Sequence, residues 1–156
     1  QGISLNVNLS IGTITFLISI GVLILWIPLG QKPGMGTIFN ALIIALMIDL
    51  CIKFVPTPSN YIHQLILAII SVIIVGIGGG IYLVSNLGAG PRDGLMIGLQ
   101  KVTNLPIAVV RATLEISVVS IGWYLGGTVG AGTLLFAFGI GPCVALGLFL
   151  VDKIFD

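Results

Sequence analysis

Charge is what this 156-residue sequence has least of. Only 7% of its residues are charged, whereas a soluble domain carries about 25%. A surface this poor in charge excludes an ordinary water-soluble globule and points to lipid as the main solvent. Six Lys/Arg stand against five Asp/Glu, so no basic footprint for nucleic acid exists. There is one histidine, His63, which rules out zinc-ligand spacing. The two cysteines, Cys51 and Cys143, each lie within an apolar run and read as small buried hydrophobes, not as a disulfide framework or metal site. A nucleophile–base pair, a metal cluster and a phosphate-cradling loop are all missing, so neither an enzyme nor a cofactor is expected. No signal-peptide pattern precedes the first apolar run, and the chain begins at Gln1 instead of methionine. The natural N-terminus is therefore expected to lie further upstream.

What is present is long hydrophobic runs. Residues of the set AVILMFWYC make up 57% of the chain, and mean hydropathy is +1.23. A crossing of the hydrocarbon core needs about 20 apolar residues. Five stretches meet that need: 10–29, 35–55, 62–84, 105–124 and 130–151. VPTPSNY at 55–61 separates the second from the third, because its two prolines cannot continue a helix, and Ser59 or Asn60 can cap the helix that follows. Trp26, Tyr61, Tyr82, Trp123 and Tyr124 fall near the ends of these runs, where amphipathic rings favour the headgroup level. Lys32, Arg92, Lys101 and Lys153 sit on one side of the resulting topology and Lys53 on the other, which places the C-terminus in the cytoplasm. The lipid bilayer is thus the first partner.

An internal repeat is visible at an offset of 96 residues. LGQKPGMGT (29–37) and LGGTVGAGT (125–133) share Gly30, Gly34, Gly36 and Thr37 with Gly126, Gly130, Gly132 and Thr133. Each block joins two apolar runs. The chain reads as one integral membrane domain, 1–156, with a partial first repeat at 1–55 and a second at 62–153. By symmetry a further span, and an equivalent of LGAGPRDGL, should precede residue 1. Three spans per copy is an odd number, so the copies would be inverted across the membrane, as in many transporters. The expected fold is all-α, with five transmembrane helices visible and six in the intact chain.

The order LGAGPRDGL, then LGxxxGxGT, with the same GxGT block earlier, resembles the YczE/YyaS/YitT group of bacterial integral membrane proteins. The resemblance covers nearly the whole chain. It implies an additional N-terminal helix and a bacterial plasma membrane location, and it brings no established activity. One departure is Arg92, which stands where the group often carries an aromatic residue.

The stretch SNLGAGPRDGLMIGLQK (85–101) interrupts the apolar pattern and carries the first candidate site. Gly88 and Gly90 permit a sharp backbone break, and Pro91 suits a first helical position. The helix that follows is expected to run for about ten residues, or about 15 Å, half the hydrocarbon core. Two readings stay open. It is either a re-entrant half-helix, with Arg92 and Asp93 at a substrate or ion site, or an interfacial helix with both charges in water. Gly36, Thr37, Gly132 and Thr133 either line the same site or serve close packing and capping.

Charges inside the spans are the second candidate. Glu115 falls near the centre of the fourth run, where a charge costs about 2.5–3.5 kcal/mol. Arg111 lies four residues earlier on the same helix face, and the two are expected to pair there or to face a polar cavity. Asp49 is expected to pair with Lys53, again four residues away. Asn40, in mid-span, is a candidate ligand or interhelical contact. Gly76 and Gly80 form a small-residue packing motif. These features suggest a small transporter or channel for an ion or solute. The alternative is a non-transporting accessory protein that binds a partner polypeptide, and a homo-oligomer also fits.

Overall fold

The apolar runs fold as helices because each is bracketed by residues that satisfy or end a helix terminus. The computed structural model describes residues 1–56 and 58–155; Thr57, inside the expected 55–61 break, lies outside the described residues. Seven helices and no strand occur among the described residues: α1 Gly2–Val7, α2 Ile11–Trp26, α3 Met35–Phe54, α4 Tyr61–Val84, α5 Pro91–Thr103, α6 Ile107–Tyr124 and α7 Ala131–Phe155. Ser10 caps α2 by accepting from the Thr13 N–H at 3.1 Å, and Asn60 caps α4 by accepting from the Ile62 N–H at 3.0 Å. Asn8 and Asn104 end α1 and α5 in the left-handed conformation that asparagine tolerates.

The five expected crossings correspond to α2, α3, α4, α6 and α7. Three of them, over Met35–Phe54, Tyr61–Val84 and Ala131–Lys153, are long and apolar enough to cross a membrane. α2 is apolar but has 16 residues, which extend about 24 Å against a core of about 30 Å. α6 has 18 residues and carries both Arg111 and Glu115. α1 was not foreshadowed by hydropathy, being only 6 residues long. The break helix α5 has 13 residues, or about 20 Å, longer than the sequence suggested and still short of a crossing.

The helices cluster into two units, one of Gln1–Val55 with Leu87–Thr128, the other of Pro56–Asn86 with Val129–Asp156. The second unit is the packing of α4 on α7. Its contact is made by small residues: a Cβ on Gly76 would lie 2.1 Å from the Cβ of Cys143, and one on Gly80 would lie 2.7 Å from the Val144 carbonyl oxygen. Helices in lipid gain no hydrophobic drive from associating, so such close backbone approach is the main source of adhesion. Most leucine, isoleucine and phenylalanine side chains of the long helices are exposed, including Phe138 and Ile74. That is the surface a lipid solvent requires.

In the first unit, α2 packs on α3 and α5, and α5 packs on α6. Asp49 does not serve Lys53. Its Oδ1 accepts from the Gly12 N–H at 2.7 Å and its Oδ2 from the Ser10 hydroxyl at 2.6 Å, so it ties α3 to the start of α2. The donors of a helix N-terminus are fixed and unsatisfied, and win the carboxylate over a mobile lysine. Lys53 instead lies over the Phe54 ring. Cys143 packs against Gly76 as a small apolar residue, whereas Cys51 is exposed, contrary to its expected burial.

Candidate functional site

The glycine-rich stretch before α5 does not hang loose; it lies across the first turn of α3. The Gly36 N–H donates to the Leu87 carbonyl at 2.9 Å. The Thr37 hydroxyl donates to the Ala89 carbonyl at 2.7 Å while accepting from the Gly34 N–H at 3.1 Å. Thr37 is 0% exposed as a result. Helix α3 thus has one of its first N–H groups, that of Gly36, met by the distant main-chain carbonyl of Leu87, while the Thr37 hydroxyl that meets the Gly34 N–H is itself held by the Ala89 carbonyl. Only glycine permits this approach. A Cβ on Gly34 would stand 2.3 Å from the Leu87 oxygen, and Gly88 has φ +112° with Thr37 and Gly34 against it.

From Gly90 the chain enters α5 through Pro91, and α5 is clamped onto the end of α2. The Trp26 indole N–H donates to the Pro91 carbonyl at 2.9 Å. The face Gly94-x-x-x-Gly98 lies under Trp26 and Leu29. Trp26 is 2% exposed, so it is no headgroup anchor; a glycine face wide enough for an indole draws it inward. Tyr61, Trp123 and Tyr124 are exposed, in keeping with an interfacial place.

This clamping sets the charged residues. Arg92 points from the first turn of α5 to Glu115 in the middle of α6 and forms an ion pair with it. The Glu115 side chain is 15% exposed and that of Arg92 is 51% exposed. Apart from this guanidinium, the buried Glu115 Oε1 has no hydrogen-bonding partner among the described residues. Glu115 is therefore paired between helices, and not with Arg111 one turn earlier. Arg111 before Glu115 is the less favourable order within a helix, and the packing of α5 on α6 supplies another cation. The charge of Arg111 acts on Asp93 instead. Burial raises the Asp93 carboxyl above its ordinary value, and Arg92 and then Arg111 oppose that shift. On the other flank, a Cβ on Gly90 would lie 3.1 Å from Asp93 Oδ2 and 3.3 Å from Asn40 Oδ1, so both oxygens border the bare glycine.

The first unit thus gathers Gly36, Thr37 and Asn40 from α3, Gly88, Gly90, Arg92 and Asp93 from the break, and Arg111 and Glu115 from α6. It is a mixed cluster of two cations and two acids. Gly132 and Thr133 are not in it; they belong to the second unit. Sequence reasoning reads Trp26 as a headgroup anchor and passes over Gly94 and Gly98. Their signal was the spacing Gly94-x-x-x-Gly98 inside the break helix, a small-residue face in need of a large partner. His63 is exposed and outside the cluster. Among the described residues no group of His, Cys, Asp or Glu could hold a metal ion.

Residues 1–148 match a family of unknown function, DUF6198. An uncharacterized protein of Haemophilus influenzae is 42% identical over 154 residues, 99% of this chain and 71% of its own length. An uncharacterized membrane protein of Bacillus subtilis, YczE, is 34% identical over 105 residues, 67% of this chain and 49% of its own. No solved structure matches.

Proposed function

We propose that this chain, which belongs to the DUF6198 family, is a small bacterial membrane transporter or channel, with its site at the charged cluster of α5 and α6. The observation that carries this reading is the Arg92–Glu115 pair, a partly buried carboxylate on an apolar helix met by a cation from a broken segment. Ionised groups at such depth are costly and mark ion or solute paths. Discontinuous helices supply such sites in transporters, because their backbone can be exposed only where protein or a cavity covers it. α5 is short, begins at a glycine-rich break and lies among longer helices, as a re-entrant segment does.

In this reading α2, α3, α4, α6 and α7 cross the plasma membrane, with the C-terminus in the cytoplasm. The two GxGT blocks mark repeats of opposite orientation, and their match is local as well as sequential. Gly30 and Gly126 both have positive φ. Gly34 and Gly130 both donate to the threonine three residues on, at 3.1 and 3.4 Å. The cluster then lies where α2 and α3 of one repeat meet α5 and α6 of the other. Asp93 and Glu115 exchange protons or cations there, and Arg111 holds an anionic group.

Proteoliposomes loaded with a pH-sensitive dye and bathed in potassium chloride or sodium acetate test this reading. A proton or ion flux should fall at least about tenfold in Arg111→Ala and Glu115→Gln, a loss of about 1.4 kcal/mol or more in barrier lowering. Unchanged flux in both variants, with the protein folded by circular dichroism, overturns it. If flux is absent from the outset and the α6 face cross-links to another polypeptide, the accessory-protein reading takes its place.

A further inference from the structure

The four ionisable groups of the cluster do not pair evenly. Arg92 and Glu115 form an ion pair between α5 and α6. Arg111, one turn before Glu115 on α6, is half-buried and has no hydrogen bond or ion pair among the described residues. Asp93, beside Arg92 on α5, has none either. The two act on each other without direct contact, the charge of Arg111 opposing the effect of burial on the Asp93 carboxyl. An arginine carries five N–H donors in a planar fork, and on a helix in lipid those donors need an acceptor. The fork matches a carboxylate, which it binds through two parallel hydrogen bonds.

Charge balance decides what can occupy that fork. Two cations and two acids leave the cluster neutral. A monoanion bound at Arg111 adds a negative charge to a half-buried site, where low dielectric makes an excess charge costly. One proton removes that excess. Glu115 is held by Arg92, so the acid free to take the proton is Asp93. The neighbouring helices offer no rival among the described residues. α2 brings Trp26 to the first turn of α5 and has no ionisable side chain. α3 brings Asn40, whose Oδ1 borders Gly90 beside Asp93 Oδ2, while its Asp49, Cys51 and Lys53 lie in its last two turns. α6 brings Arg111 and Glu115 themselves. On α5 the remaining charges are Arg92 and, in the last turn, Lys101.

We propose that Arg111 binds a small monocarboxylate, and that each anion enters together with one proton, which is carried by Asp93. The anion accepts hydrogen bonds from the Arg111 guanidinium, the Asp93 carboxylate takes a proton from water, and the net charge of the site does not change. This deepens the proposed function and rests on the same cluster, naming the solute class as a carboxylate accompanied by a proton.

Isothermal titration calorimetry of the full chain in detergent tests this, with sodium acetate as the probe and buffers of different ionisation enthalpy to count protons. About one proton should be taken up per acetate, and Kd should rise about tenfold per pH unit between about pH 6 and 8. Asp93→Asn, a fixed mimic of the protonated acid, should bind without proton uptake and with a flat Kd. At the upper end of that range it should bind about tenfold or more tightly than the unsubstituted chain, a gain that misfolding cannot produce. Arg111→Gln should abolish binding, and Arg111→Lys, which keeps the charge but not the fork, should weaken it about tenfold or more. Sodium chloride at equal concentration should not displace acetate. The proposal is overturned by no acetate binding, by binding without proton uptake, by uptake that survives Asp93→Asn, by binding indifferent to Arg111→Gln, or by equal competition from chloride. Binding with proton uptake but no flux in proteoliposomes upholds it and removes the transport reading. Flux that depends on Arg111 and Glu115 without acetate binding does the reverse.

Discussion

Two turns of nearly the same sequence, Gly34–Thr37 and Gly130–Thr133, form the same short-range bonds and end in opposite surroundings. In the first, a glycine-rich extended segment covers the helix start and leaves Thr37 0% exposed. In the second, the helix start is bare. Local sequence thus suffices to shape such a turn, because the threonine hydroxyl accepts from the glycine N–H without outside help. Whether the remaining donors are met depends on a segment distant in the chain.

The largest expected effect comes from matched alanines. Gly34→Ala puts a Cβ 2.3 Å from the Leu87 oxygen and should cost about 1–3 kcal/mol, since backbone must shift to relieve such overpacking. Gly130→Ala meets nothing within 4 Å and should cost well under about 1 kcal/mol, the usual range for an exposed position. Thermal unfolding in detergent compares the two, and equal losses would break the contrast.

A smaller difference is expected at the threonines. Thr37→Val strands the Gly34 N–H and the Ala89 carbonyl, both bonded to Thr37 and partly buried, at about 1–3 kcal/mol. Thr133→Val loses one long bond at the surface, 3.4 Å from Gly130, and should lower the melting temperature little. Proteolysis at 87–90 gives an independent reading, as the strand should become cleavable only in Thr37→Val.

The smallest effect concerns pH and the site that the glycine-rich segment leads into. Burial raises the Asp93 carboxyl above its ordinary 3.8, so the folded state holds that proton more tightly than the unfolded chain does. Its contribution to stability is then greatest at low pH and declines as pH rises from 3.8 through the raised value. Asp93→Asn should flatten that part of the stability profile. Denaturant unfolding at a series of pH values reads it, and an unchanged slope would remove Asp93 as the titrating group.

Much of this was legible in the residues themselves. The runs that became α3, α4 and α7 are apolar over 20 residues or more, and in lipid only a helix satisfies their backbone. Pro91 after Gly90 marked the start of α5, and the residues bracketing the break were those that later gathered in one cluster. The partner of Glu115 was not legible. A carboxylate on α6 sees whichever cation the packing of α5 delivers, and periodicity along one helix reveals neighbours on that helix alone. Trp26 was misjudged for a related reason, since an indole at the end of an apolar run suits a headgroup until a glycine face is placed against it. Asp49 was given to Lys53 because helix spacing offered that pair, while the N–H groups of α2 became visible only in three dimensions.

The sequence by itself determined that this chain folds as helices in lipid and where its long apolar runs break. These follow from solvent and backbone chemistry, which act residue by residue. Tertiary structure alone decided that the Leu87 carbonyl caps α3, that Trp26 holds α5 in place, and that Arg92 and not Arg111 meets Glu115. Those choices are made between segments far apart in the chain, by close contact that only glycine permits.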